Sequence, residues 1–79
     1  MRKSMHQQIR FALCVADGEP DLEAGKLYPV LPDERASQEK YLRVIDESGE
    51  DYLYPADYFV FVELPKKAQD ALLSRLRSV

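Results

Sequence analysis

Apolar and polar positions change rhythm several times along this chain. Residues 9–16 (IRFALCVA) form an apolar, β-branched and aromatic run broken only by Arg10, which predicts a strand. The run stops at Asp17-Gly18-Glu19-Pro20-Asp21, a cluster of turn formers. Residues 26–32 (KLYPVLP) predict a second strand, and its inner Pro29 predicts an edge position or a bulge, because proline cannot donate to a ladder. The polar stretch Asp33 to Glu39 reads as a loop. Residues 41–46 (YLRVID) alternate in part and predict a third strand. They run into Glu47-Ser48-Gly49-Glu50, where glycine supplies the positive φ of a hairpin turn. Tyr52-Leu53-Tyr54 is the returning strand, Pro55-Ala56-Asp57 a break, and Tyr58 to Glu63 a last strand.

After Leu64 the period lengthens. Pro65 suits the first position of a helix, where its missing N–H costs nothing. Ala68, Leu72, Leu76 and Val79, joined by Ala71, fall on one stripe at spacings of three and four, with Lys66, Lys67, Asp70, Ser74 and Arg77 opposite. A helix of this length is marginal alone. It therefore docks its stripe, either closing one open end of the β-structure or meeting the same helix of a second chain. Five short strands, a long acidic first connection, tight later turns and a broken last connection predict a mainly β fold. The expected architecture is a small, partly open five-stranded barrel over residues 9–63, with an amphipathic helix over 65–78 and a mobile tail at 1–8.

Composition narrows the function. Seventy-nine residues suffice for one small domain and leave no room for separate cofactor and substrate domains. Five Tyr, three Phe and 46% hydrophobic residues supply a core, so disorder is not expected. The net charge of −3 conceals an uneven distribution: residues 11–63 hold thirteen acids against four bases, while 1–10 and 64–79 are each +3. An acidic body repels phosphate backbones, which argues against nucleic acid as partner. No apolar run is long enough to cross a bilayer, and the single Cys14 fits a reducing compartment, so membrane association is not expected and a cytoplasmic location is.

Candidate chemistry is sparse. Cys14 lies in an apolar strand, where a small buried hydrophobe is the ordinary role, and His6 lies in the tail. Asp46-Glu47-Ser48-Gly49-Glu50-Asp51 lacks the ligand spacing of a calcium loop. No metal cluster, phosphate-binding glycine loop or catalytic triad is legible, so neither an enzyme nor a cofactor is expected. The concentration of aromatics in residues 52–60 (YLYPADYFV) remains the feature most suggestive of contact.

The order of these features resembles the SH3-like barrel family over residues 9–63, in the manner of a stand-alone bacterial domain. Phe11-Ala12-Leu13-Cys14-Val15-Ala16 is similar to the family's opening Ala-Leu-Tyr-Asp-Tyr strand, with Cys14 and Ala16 in place of its two ligand-contacting tyrosines. Asp21-Leu22-Glu23-Ala24-Gly25-Lys26 resembles the end of the acidic RT loop. Tyr41-Leu42-Arg43-Val44 resembles the tryptophan-bearing strand, with Tyr41 for the tryptophan. Leu53-Tyr54-Pro55-Ala56-Asp57-Tyr58-Phe59 resembles the closing segment, in which a proline and a one-turn 3₁₀-helix separate the last two strands.

The resemblance implies a shallow groove walled by Tyr41, Pro55 and Tyr58, with Tyr54 beside them, that accepts an extended protein or peptide segment. Asp17, Glu19, Asp21 and Glu23 of the acidic loop would flank it and pair with basic residues. A different reading of the charge is a small acidic regulatory or inhibitor protein that covers a basic surface on its target. The expected oligomeric state is a monomer, or a homodimer through the C-terminal helix.

Overall fold

The computed structural model describes residues 9–77; the tail expected at 1–8 and the last residues of the helical stripe lie outside the described residues. Five strands form one antiparallel sheet: β1 (Arg10–Cys14), β2 (Leu27–Leu31), β3 (Tyr41–Ile45), β4 (Asp51–Pro55) and β5 (Phe59–Val62). Their order in space is β4-β3-β2-β1-β5. A 3₁₀ turn, Ala56–Tyr58, joins β4 to β5, and the helix α2 (Lys66–Arg77) follows. The mainly β fold with a C-terminal helix is thus as expected from the patterning.

Period-two alternation sorts the strands into two faces. Ala12, Cys14, Tyr28, Val30, Val44 and Phe59 point inward with Leu22 of the first connection, and Val44 and Cys14 are fully buried. Leu42, Tyr54 and Tyr58 pack against this cluster, and Tyr28 and Tyr54 each meet Phe59 edge-on, at 6.5 and 6.3 Å between ring centroids. Cys14 is therefore a core residue, its thiol 3.6 Å from the Ala16 carbonyl.

Two expectations are corrected. Pro29 is not on an edge: β2 lies between β1 and β3, with Phe11 opposite Pro29. The bond from Cys14 N–H to the Lys26 carbonyl (2.8 Å) sets the alternation, which turns the nitrogen of Pro29 away from β1 and toward β3. Val30 opens the β2–β3 register as a non-hydrogen-bonded pair with Val44, so the missing donor falls at the end of that ladder and interrupts no interior rung. The polar stretch after Pro32 is not a plain loop either. It contains a short helix, α1 (Glu34–Gln38), capped by Asp33, whose carboxylate accepts from the Ala36 N–H at 3.0 Å.

The C-terminal helix meets the sheet near the outer face of β1 and β2. Leu72 and Arg75 line one hollow with Phe11, Leu27, Pro29 and Ile45, on the face opposite the core cluster, and with Lys26, Tyr28, Asp46 and Glu47 where β2 begins and β3 ends. Phe11 is 3% exposed although it points away from the core, which is the burial such a cover supplies.

Candidate functional site

The sheet order brings the first connection, between β1 and β2, against the 3₁₀ turn. Tyr41 opens β3 directly opposite Pro55, the last residue of β4. Lys40, just before, adopts a left-handed backbone with φ 64°, and its carbonyl accepts from the Ala56 N–H at 2.9 Å. This bond fixes the start of β3 to the 3₁₀ turn that carries Tyr58. A lysine gives no sequence signal for that conformation, which glycine usually supplies.

Tyr58 donates its hydroxyl to Glu19 at 3.2 Å, across 39 residues of chain. That hydrogen bond, with the charge of Glu19, partial burial and nearby Tyr41, holds the Tyr58 hydroxyl above its ordinary pKa. Tyr41 remains 42% exposed. The backbone thus sets two pairs side by side, Tyr41 opposite Pro55 and Tyr58 bonded to Glu19, which together are termed the ledge. An open hollow of about 260 Å³ adjoins Tyr41 on its α1 side, lined also by Asp33, Arg35, Glu39, Arg43 and Leu53. Arg43 ties this side together, donating to Asp33 at 2.8 Å and to Asp51 at 2.9 Å. The Ala36 N–H, followed by Arg43, holds the Asp33 carboxyl below its usual range.

The other candidate residues are placed differently. Tyr54 lies beneath the ledge, 6.3 Å from the Tyr58 ring, and packs on the core. Its hydroxyl turns away and donates to Asp46 at 2.6 Å. Asp46 is only 5% exposed and also accepts the Ser48 N–H (3.0 Å) and hydroxyl (2.5 Å). Burial pulls the Asp46 carboxyl upward, but the hydrogen bonds from Ser48 and Tyr54 outweigh it and hold the group below its ordinary value. Burial, then Asp46, pushes Tyr54 well above the ordinary tyrosine range.

Asp21 and Glu23 belong to this second corner, not to the ledge. The Asp21 carbonyl accepts from the Glu47 N–H at 2.9 Å, and the Glu23 N–H donates to the Tyr28 hydroxyl at 2.8 Å. Tyr28 in turn donates to Glu47 at 2.6 Å, and Lys26 reaches the same carboxylate at 2.8 Å. Lys26 first, then Tyr28, lowers the Glu47 carboxyl. Burial, followed by Glu47, raises Tyr28. Asp17 is exposed. Of the four acids expected beside the aromatics, Glu19 is the one bonded to them.

Among the described residues, no set of three or more His, Cys, Asp or Glu side chains is placed to share a metal ion, and no helix is long and apolar enough to cross a membrane. No protein-family model, curated protein or solved structure matches the chain.

Proposed function

We propose that the chain is a non-enzymatic, SH3-like interaction module. It takes an extended protein or peptide segment on the Tyr41–Pro55–Tyr58 ledge, with Glu19 addressing a basic residue of that segment. The observation that carries this reading is the 3.2 Å bond between Tyr58 and Glu19, which sets an acid from the first connection beside rings from the 3₁₀ turn. The β4-β3-β2-β1-β5 order and the 3₁₀ link between β4 and β5 support the SH3-like assignment. Exposed aromatic walls suit a polyproline-type segment because such a ligand is already extended and loses little entropy on docking. A carboxylate beside them adds choice of register through an arginine or lysine at the rim. A single, buried cysteine suits a reducing, cytoplasmic setting.

Titration of the amide resonances with an extended peptide of prolines and arginines tests the reading. The expected shifts cluster at Glu19, Tyr41 and Ala56–Tyr58. Tyr41→Ala with Tyr58→Ala weakens binding about tenfold or more, since aromatic anchors dominate such contacts. Tyr52→Ala, which removes an exposed ring bonded to Glu50, leaves binding unchanged. Unchanged affinity in a folded double variant sinks the proposal. Ring-mediated binding also weakens little with salt, whereas a steep loss with salt would indicate an acidic surface covering a basic target.

A further inference from the structure

Among the described residues the sheet ends in two edges without a neighbouring strand, β4 and β5, and they are built differently. At the β4 edge, the Ala56 N–H bond to Lys40 sets the alternation. It turns the backbone groups of Asp51, Leu53 and Pro55 outward. Pro55 has no donor to offer and Asp51 carries a charge, two features that keep an edge from pairing. At the β5 edge, the Val15 N–H donates to the Tyr58 carbonyl at 2.8 Å, so Val60 and Val62 bond inward to β1 and Phe61 turns its N–H and carbonyl outward. The Phe59 N–H is already taken by the Ala56 carbonyl. Residues 59–62 (FVFV) hold no charge and no proline, and among the described residues no strand covers this edge. Val60 is 53% and Phe61 38% exposed. The Arg10 guanidinium sits 3.8 Å over the Phe61 ring, covering one side of it.

We propose that β5 is the seam of a two-fold homodimer, pairing antiparallel with β5 of a second copy about Phe61. In that register Phe61 faces the partner's Phe61 and the two exchange both backbone bonds, while Val60 faces the partner's Val62. A second copy is the occupant that fits. It brings the same outward N–H and carbonyl at the same spacing. Neither strand brings an acid to the seam of two chains with acidic bodies; the charge nearest it is the Arg10 guanidinium over each Phe61 ring. An isologous seam uses both β5 edges at once, and the Pro55-guarded β4 edges do not extend it, so assembly stops at two.

Sedimentation of the full chain over a concentration series, with hydrogen exchange of the Phe61 amide, tests this. The expected result is a monomer–dimer equilibrium in which Phe61 protection rises with concentration. Val60→Lys changes an exposed position, leaves the circular-dichroism spectrum intact and weakens dimerisation roughly tenfold or more by placing a charge on the edge. Leu73→Glu on α2 leaves the dimer in place. A monomer at every concentration overturns the proposal, however well the Phe61 amide is protected. So does a dimer that survives Val60→Lys but is lost on Leu73→Glu, or a ladder of higher oligomers.

Discussion

Tyrosine meets carboxylate at two corners of this molecule, with different consequences. At the turn between β3 and β4, Tyr54 donates to the nearly buried Asp46 at 2.6 Å, and Tyr28 donates to Glu47 at 2.6 Å. At the 3₁₀ turn, Tyr58 donates to Glu19 at 3.2 Å beside a 42%-exposed Tyr41. The first corner is a closed network: Asp46 accepts from three donors, and Lys26 and Tyr28 share Glu47. The second is more open: Tyr41 is exposed, and Tyr58, Pro55 and Glu19 are half-exposed. A buried polar group left without its partner costs far more than an exposed one. The same pair of residue types is therefore a buried structural network in one place and, in the function proposed above, the recognition surface in the other.

The comparison breaks most sharply at Asp46. Asp46→Ala strands the Tyr54 hydroxyl and the Ser48 N–H, and lowers stability by about 2–3 kcal/mol in urea unfolding. A loss no larger than that of a surface substitution would remove the distinction between the corners. Tyr28→Phe follows at about 1 kcal/mol, because the Glu23 N–H and Glu47 each lose one partner. Lys40→Gly gains about 0.5–1 kcal/mol by relieving a left-handed backbone, net of glycine's entropy cost. Tyr58→Phe is the smallest, leaving the unfolding midpoint in place while removing the hydrogen bond to Glu19.

The pH profile sharpens the same contrast. Asp46 and Glu47 are held below their ordinary values, so the unfolded chain takes up protons first on acidification. Their stabilisation is complete above the ordinary carboxylate range near about pH 4, and is lost as pH falls through their lowered folded values. Tyr28 and Tyr54 are raised, so their contribution is complete below about pH 10 and is lost as pH rises beyond it. Denaturation midpoints across pH are expected to show both limbs, with a shallower acid limb in Asp46→Ala. An acid limb unchanged by that substitution would assign it to other carboxylates.

Much of the fold follows from local pattern. The alternation in YLRVI, the glycine of the hairpin turn, Pro55 before a one-turn helix and the 3.6-residue stripe after Pro65 all correspond to elements of the structure. Gly49 takes φ 88° at the turn, as that position requires. The short helix α1 was not legible: only Ala36 in the segment is apolar and buried, so periodicity gave nothing to detect. The placement of α2 on the outer face was not legible, because an apolar stripe specifies burial and not the surface that provides it.

The pairing of acids with rings is the clearest division. Tyr58, Pro55 and the acids of the first connection are conspicuous in the sequence, and a run of alternating acids marks no one member. Glu19 meets Tyr58 while Asp21 and Glu23 serve the Tyr28 corner, because strand order and register set contacts between residues tens of positions apart. The interior position of Pro29 was decided in the same way, by where the β2–β3 ladder begins. Local composition determined the elements, since backbone preference and side-chain period act over a few residues. Partners were decided only by the assembled sheet, since a carboxylate's partner depends on which distant strand lies beside it.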